Sequence, residues 1–159
     1  MKRNIYLDFG YLILLASSFG AVFTLGAYVA PVVFHTDSLL VGMLIDHYNS
    51  GIIMGEIFRR FSYWIYFLAF AVVIYEAMMY KTGQRDTIAM ITAFVVVATS
   101  LLFSAVYVPT ILTMQSLGAE ATQSDTFENI HIASEIDFKI LAVTLLVLFV
   151  RRLMLLRTI

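Results

Sequence analysis

Apolar residues run through this chain in four blocks separated by short polar stretches, and each block reads as a helix. Phe9 to Phe34 holds no Asp, Glu, Lys or Arg over 26 residues, and Thr87 to Ala119 holds none either. Both exceed the roughly 20 residues that span a bilayer. Phe61 to Tyr75 and Ile140 to Val150 are uncharged for only 15 and 11 residues, about 22 and 16 Å of helix against a hydrocarbon core of about 30 Å. To cross, the second helix must draw in residues near Glu56 or pass Glu76. The fourth must draw in Glu135 to Lys139 or run past Arg151. Charges at or below the membrane surface are therefore expected.

The four blocks fall into two similar halves. The only prolines, Pro31 and Pro109, each sit near the end of an apolar run that is followed by a paired charge motif inside the next. The first half reads Tyr28-Val-Ala-Pro31, then Glu56 and Arg60; the second reads Tyr107-Val-Pro109, then Glu135 and Lys139, and Tyr to Glu is 28 residues in both. The predicted architecture is all-α: an integral membrane four-helix bundle made of two tandem helical hairpins, about 5–81 and 86–155, in one domain over 1–159. Each proline lacks a backbone donor. The first expectation is two ordinary helix ends, and the alternative is a pair of kinks opening a polar vestibule. Ala16, Ser17, Gly20, Ala21, Gly26 and Ala27 give helix 1 the small side chains that let neighbouring backbones approach in lipid, so it is expected to be central in the packing.

Loop charge sets the orientation. Lys2 and Arg3 precede helix 1, Lys81 and Arg85 lie between helices 2 and 3, and Arg151, Arg152 and Arg157 close the chain, whereas 35–55 and 114–131 contain no Lys or Arg. Basic residues stay cytoplasmic, so both termini are predicted inside and the two longer connections outside. Helices 1 and 3 then run the same way, which makes the repeat a parallel one. The expected location is a bacterial inner membrane, with the chain multi-pass and the lipid bilayer as its first partner. The apolar run after Met-Lys-Arg-Asn is too long for a signal core and reads as a retained anchor.

Composition agrees with a membrane chain and narrows the chemistry. The 159 residues are 61% hydrophobic and 13% charged, with a mean hydropathy of +0.89, far from a soluble domain's balance. A net charge of −1 gives no reason to expect nucleic acid. The absence of cysteine removes disulfide and thiolate chemistry. With no nucleophile elbow or phosphate loop either, no enzyme signature is present, and catalysis is open only as metal or haem chemistry.

The candidate chemistry gathers at the outer end. Glu56 and Arg60, His131 and Glu135, and Glu135 and Lys139 are each four apart and share helix faces. Asp137 is turned about 200° from Glu135. A repeat axis would bring the two Glu-to-basic motifs together, so Glu56, Arg60, Glu135 and Lys139 are expected either to clamp the hairpins as an ion-pair layer or to hold carboxylates in place for a site. All three histidines, His35, His47 and His131, are predicted on this side, with Met43, Met54 and Met114 in the same regions. Imidazole with thioether suits copper, Cu(I) above all, and imidazole with carboxylate suits zinc or another divalent ion. The expected metal ligands are His131 and Glu135 first, then His35, His47 and Met54. A haem b held between His35 and His131 is the next cofactor option. Glu76 reads as an interfacial residue near Lys81.

Pro31-Val-Val-Phe34, Gly51-Ile-Ile-Met-Gly55-Glu-Ile-Phe58 and His131-Ile-Ala-Ser134-Glu-Ile-Asp137 resemble a family of small four-helix membrane proteins catalogued as a domain of unknown function. That family includes the eukaryotic transmembrane protein associated with cisplatin resistance. The resemblance implies four helices and a role linked to metal or drug tolerance, with no established reaction. Its last fourth-helix motif position is usually Asn, where this chain has Asp137. The histidine placement is also similar to that of four-helix copper-resistance membrane domains. Two functions of different class follow as expectations. One is an outward vestibule that binds a metal ion, copper first, for tolerance, delivery or export. The other is a structural or accessory subunit, as a homodimer or within a larger membrane complex.

Overall fold

The computed structural model describes residues 5–39 and 45–157, so Lys2 and Arg3, used above for orientation, and Met43 lie outside the described residues. Among the described residues four long helices make up most of the structure: α1 (Ile5–Phe34), α2 (His47–Lys81), α3 (Thr87–Ser116) and α4 (Asp125–Arg157). Among the described residues there is no strand. α1, α2 and α3 are long and apolar enough to cross a membrane. α2 runs unbroken from His47 to Lys81 and so takes in Glu56 on one side of its short uncharged window and passes Glu76 on the other.

Turn chemistry fixes the helix ends. Asp46 caps α2 by accepting from the Asn49 N–H at 2.7 Å, and Asp86 caps α3 by accepting from the Ala89 N–H at 2.8 Å; each pairs a donor that the first turn leaves orphaned. α2 stops at Gly83, whose φ of 84° is a left-handed conformation open to a residue without Cβ. The Gln84 N–H then closes back on the Met79 carbonyl at 3.0 Å.

Neither proline ends its helix, contrary to the first expectation. In α1 a five-residue π turn, Leu25–Val29, precedes Pro31, and in α3 another, Phe103–Tyr107, precedes Pro109. The Ala30 N–H donates to the Leu25 carbonyl and the Val108 N–H to the Phe103 carbonyl, five residues back in each case. The next donor in that register is the proline, which has none. The widened turn absorbs the missing bond and the helix continues, to Phe34 in one case and Ser116 in the other.

The helices form a ring in chain order: α2 packs on α3, α3 on α4 and α4 on α1, with α1 against α2 the sparsest seam. The apolar core repeats at threes and fours: Ile65, Leu68 and Val72 on α2 and Leu141, Leu145 and Leu148 on α4 are fully buried, with Leu15 from α1 and Val96 from α3 between them. This is the spacing of nearly parallel, left-handed bundle packing. Large apolar side chains such as Ile13, Phe70, Phe94 and Val143 point outward, as a lipid-facing surface requires.

At the end that carries the α2–α3 turn, polar side chains tie all four helices. Tyr75 donates to Asp8 Oδ1 at 2.6 Å and stacks on Tyr11 with centroids 3.7 Å apart. Tyr11 donates to Glu76 at 3.1 Å, and Arg152 grips the same carboxylate through Nε at 2.9 Å and through Nη2. Glu76 is therefore the largely buried ion-pair partner of Arg152, a contact that the expectation of a residue near Lys81 did not include. Beside this network Arg151 donates twice to Asp86, at 3.0 and 2.6 Å. That bond holds the Asp86 carboxyl below its ordinary range. Its folded pKa being depressed, the contribution is present above about pH 4 and disappears as the pH falls through the folded value. Thermal melts of detergent-solubilised protein between about pH 3 and 6 should lose stability on acidification, and Asp86→Asn, which keeps the cap but not the charge, should flatten that loss.

Candidate functional site

At the opposite end the bundle opens into a cavity of about 650 Å³ between all four helices, within the range of small-molecule sites. Its floor is aromatic. Phe58 from α2, Phe103 from the π turn of α3 and Phe138 from α4 meet with ring centroids 4.8 to 5.4 Å apart. The walls are made of small residues, Gly26, Ala27 and Ala30 on α1 and Gly51 and Gly55 on α2. A Cβ on Gly55 would lie 2.7 Å from Gln115 Oε1 and 3.0 Å from Leu112 Cδ2, so the glycine lets α3 lie close on α2. Gln115 is held at that crossing from its backbone side too, because Tyr48 donates to the Gln115 carbonyl at 2.8 Å.

The rim is polar. His35, His47 and His131 all line the cavity, as do Glu135, Lys139 and, deeper in the wall, the buried Met54. The ring of Phe34 lies 5.5 Å from that of His47 and 6.5 Å from that of His131, and Phe127 stacks on His131 at 6.1 Å. His35 Nδ1 lies 2.9 Å from the Pro31 carbonyl; donating there leaves Nε2 of a neutral ring as its acceptor. All five side chains predicted as metal ligands thus share one cavity. Among the described residues, however, no three His, Asp or Glu side chains form a group able to hold a metal ion, so the cavity gathers the donors without assembling a coordination sphere.

The charge motifs pair differently from the clamp anticipated above. Glu56 accepts from Arg59 at 2.6 Å and from Arg60 at 2.7 Å, and Glu135 accepts from Lys139 at 2.7 Å. Each bond stays within one helix, and all five side chains are largely exposed. Neighbours three or four apart satisfy each other locally, and nothing then draws the two motifs together. Asp137 lies on the buried stripe of α4 with Ser134 and Leu141, 6% exposed, as its angle from Glu135 required. Two constellations escaped the sequence reading: the aromatic floor, which hydrophobic periodicity does not distinguish from ordinary core, and the Glu76–Arg152 pair, whose partners are 76 residues apart.

The signature of a domain of unknown function, DUF4149, matches residues 13–120. The chain belongs to the DUF4149 family. The match takes in α1 from Ile13, all of α2 and α3 and the first four residues of the connection that follows, and so three walls of the cavity. α4, with His131, Glu135 and Phe138, follows the matched segment. No curated protein and no solved structure matches the chain.

Proposed function

We propose that this DUF4149 protein is a four-span membrane protein with both termini cytoplasmic, whose outward cavity binds a small, largely apolar or aromatic molecule. The aromatic-floored cavity carries the reading. Its lining is mostly apolar, Phe, Gly, Ala and Met with Val, Ile and Pro, and its polar groups are fewer, the histidines, Glu135 and Lys139 at the rim and Gln115 and Ser134 buried in the wall, the division of labour in which apolar walls supply affinity and a few polar groups fix orientation. The topology rests on loop charge: Lys81, Arg85, Arg151 and Arg152 belong to the end opposite the cavity, and basic loops stay inside. At 33 residues α4 is about 50 Å long, ample for a bilayer. Two hairpins, each with a π turn before its proline, support a parallel repeat.

One observation favours a second reading. Three imidazoles, the Met54 thioether and the Glu135 carboxylate line the same cavity, and this N, S and O donor set suits copper, the ion brought in with the ligand or seated by movement of the rim. A tolerance role of the kind associated with cisplatin resistance belongs to either reading.

The test is binding to the purified full chain in nanodiscs. The apolar fluorophore 1-aminoanthracene is expected to bind saturably, and Ala30→Trp, which fills the cavity from α1, is expected to abolish that binding. Stoichiometric copper after incubation with Cu(I), lost in His131→Ala or Glu135→Ala, would install the metal reading instead. A chain that takes up neither would end both.

A further inference from the structure

One polar group in the bundle is used neither by the cavity nor by the inner network. Asp137 Oδ2, Ser100 Oγ and Ser104 Oγ are buried without a hydrogen-bond partner, on residues that are 6%, 0% and 5% exposed. Helical hydroxyls usually find the carbonyl one turn back, as those of Thr92 and Thr99 do on the same helix at 2.7 and 2.8 Å. Ser100 and Ser104 do not.

Helix register brings the three residues to one stretch of the α3–α4 pair. Asp86 of α3 and Arg151 of α4 are bonded, which fixes the register of the antiparallel pair. Fourteen residues toward the cavity from Asp86 is Ser100, and fourteen from Arg151 is Asp137. That step is about 21 Å on each helix and about 40° short of four full turns, so both residues stay close to the faces that bond below. The rings of Phe103 and Phe138, neighbours in sequence of Ser104 and Asp137, are 4.8 Å apart, a register one turn further along α3 that sets Ser104 against the same stretch of α4. At this level α3 makes its π turn. After the Val108 N–H has bonded the Phe103 carbonyl, the next carbonyl in that register, that of Ser104, faces Pro109, which has no N–H.

A lone carboxylate inside a membrane bundle is costly, and such residues pair or mark a pathway. α1 carries no charged side chain between Asp8 and Phe34, and α3 carries none at all. On α4 the nearest charges, Glu135 and Lys139, are spent on each other. We infer that Asp137, Ser100 and Ser104, with the Ser104 carbonyl, form a binding site for a small monovalent cation, sodium, beneath the floor of the outer cavity. The ligands are all oxygen, without imidazole or thioether, which selects a hard ion, and a single carboxylate balances a single charge. A helical carbonyl that a proline leaves without its donor is the kind of group that coordinates sodium within membranes. Ser134, one turn outward on the same face of α4, lines the cavity and gives the ion its entrance. The site is independent of what fills the cavity.

Binding of radiolabelled sodium to the full chain in nanodiscs, together with its melting temperature in sodium chloride against choline chloride at equal ionic strength, tests this. Saturable binding and a sodium-specific rise in melting temperature are expected, both lost in Asp137→Asn, which keeps the shape, and both weakened in Ser100→Ala. Equal melting in the two salts, or a sodium effect that survives Asp137→Asn, would overturn the assignment. So would an infrared carboxylic-acid band that Asp137→Asn removes and sodium leaves unchanged, since a proton would then hold the site.

Discussion

Arg152→Ala is expected to be among the most damaging single substitutions in the chain, lowering stability by about 3–5 kcal/mol, because it strands a buried carboxylate. Glu76 and Arg152 have side chains only 11% and 5% exposed, and the guanidinium also lies over the Tyr75 ring, 5.4 Å from its centroid. Loss of the cation leaves Glu76 with the Tyr11 hydroxyl and removes the ionic link between α4 and α2 at this end of the bundle. Taking both charges out of water was itself costly, so a double replacement by leucine should recover much of the loss. Tyr75→Phe, which removes one hydroxyl from Asp8, should cost less, about 1–2 kcal/mol. Melting temperatures in one detergent, for the single and double variants, separate these outcomes. A double variant no better than Arg152→Ala would mean that the pair contributes net stability and does not merely satisfy itself.

Why the Glu76–Arg152 network was invisible in the sequence while the gathering at the cavity end was not is a matter of distance along the chain. The three histidines and Met54 are placed at one end by helix order and loop charge, since the 35–55 and 114–131 stretches, without Lys or Arg, mark the two longer connections. Helical spacing says which side chains share a face, as for Glu135 and Lys139, but not which way the face points. The two Glu-to-basic motifs are accordingly expected to meet, as a clamp across the hairpins or as holders of carboxylates for a site, whereas each is closed within its own helix. Glu76 and Arg152, or Asp8 and Tyr75, carry no local signal, because their meeting depends on the ring order of the helices. The prolines show the converse. Their repeat was legible, but their effect was not, because whether a missing donor ends a helix or widens it into a π turn is decided by the packing on either side.

Phe138→Ala should combine a large loss of stability with a change in what the cavity accepts. Phe138 is 8% exposed and makes ring contacts with Phe58, Phe61 and Phe103, while its edge lies 3.6 Å from where a Cβ on Gly26 would stand. It therefore joins α4 to the other three helices at the level of both π turns. Removing a buried phenyl ring costs about 3–5 kcal/mol, the higher figure where neighbours cannot collapse into the space, and two helices braced by π turns leave little freedom to do so. The cavity should deepen into that space, so probes larger than 1-aminoanthracene gain affinity relative to it. Phe138→Leu should recover part of the stability and close most of the added depth. At the next position Lys139→Ala, which removes only an exposed local ion pair, should leave the melting temperature nearly unchanged. Were Phe138→Ala to melt like Lys139→Ala, the aromatic floor would not join the helices, and the cavity above it would have no fixed base on which to select a ligand.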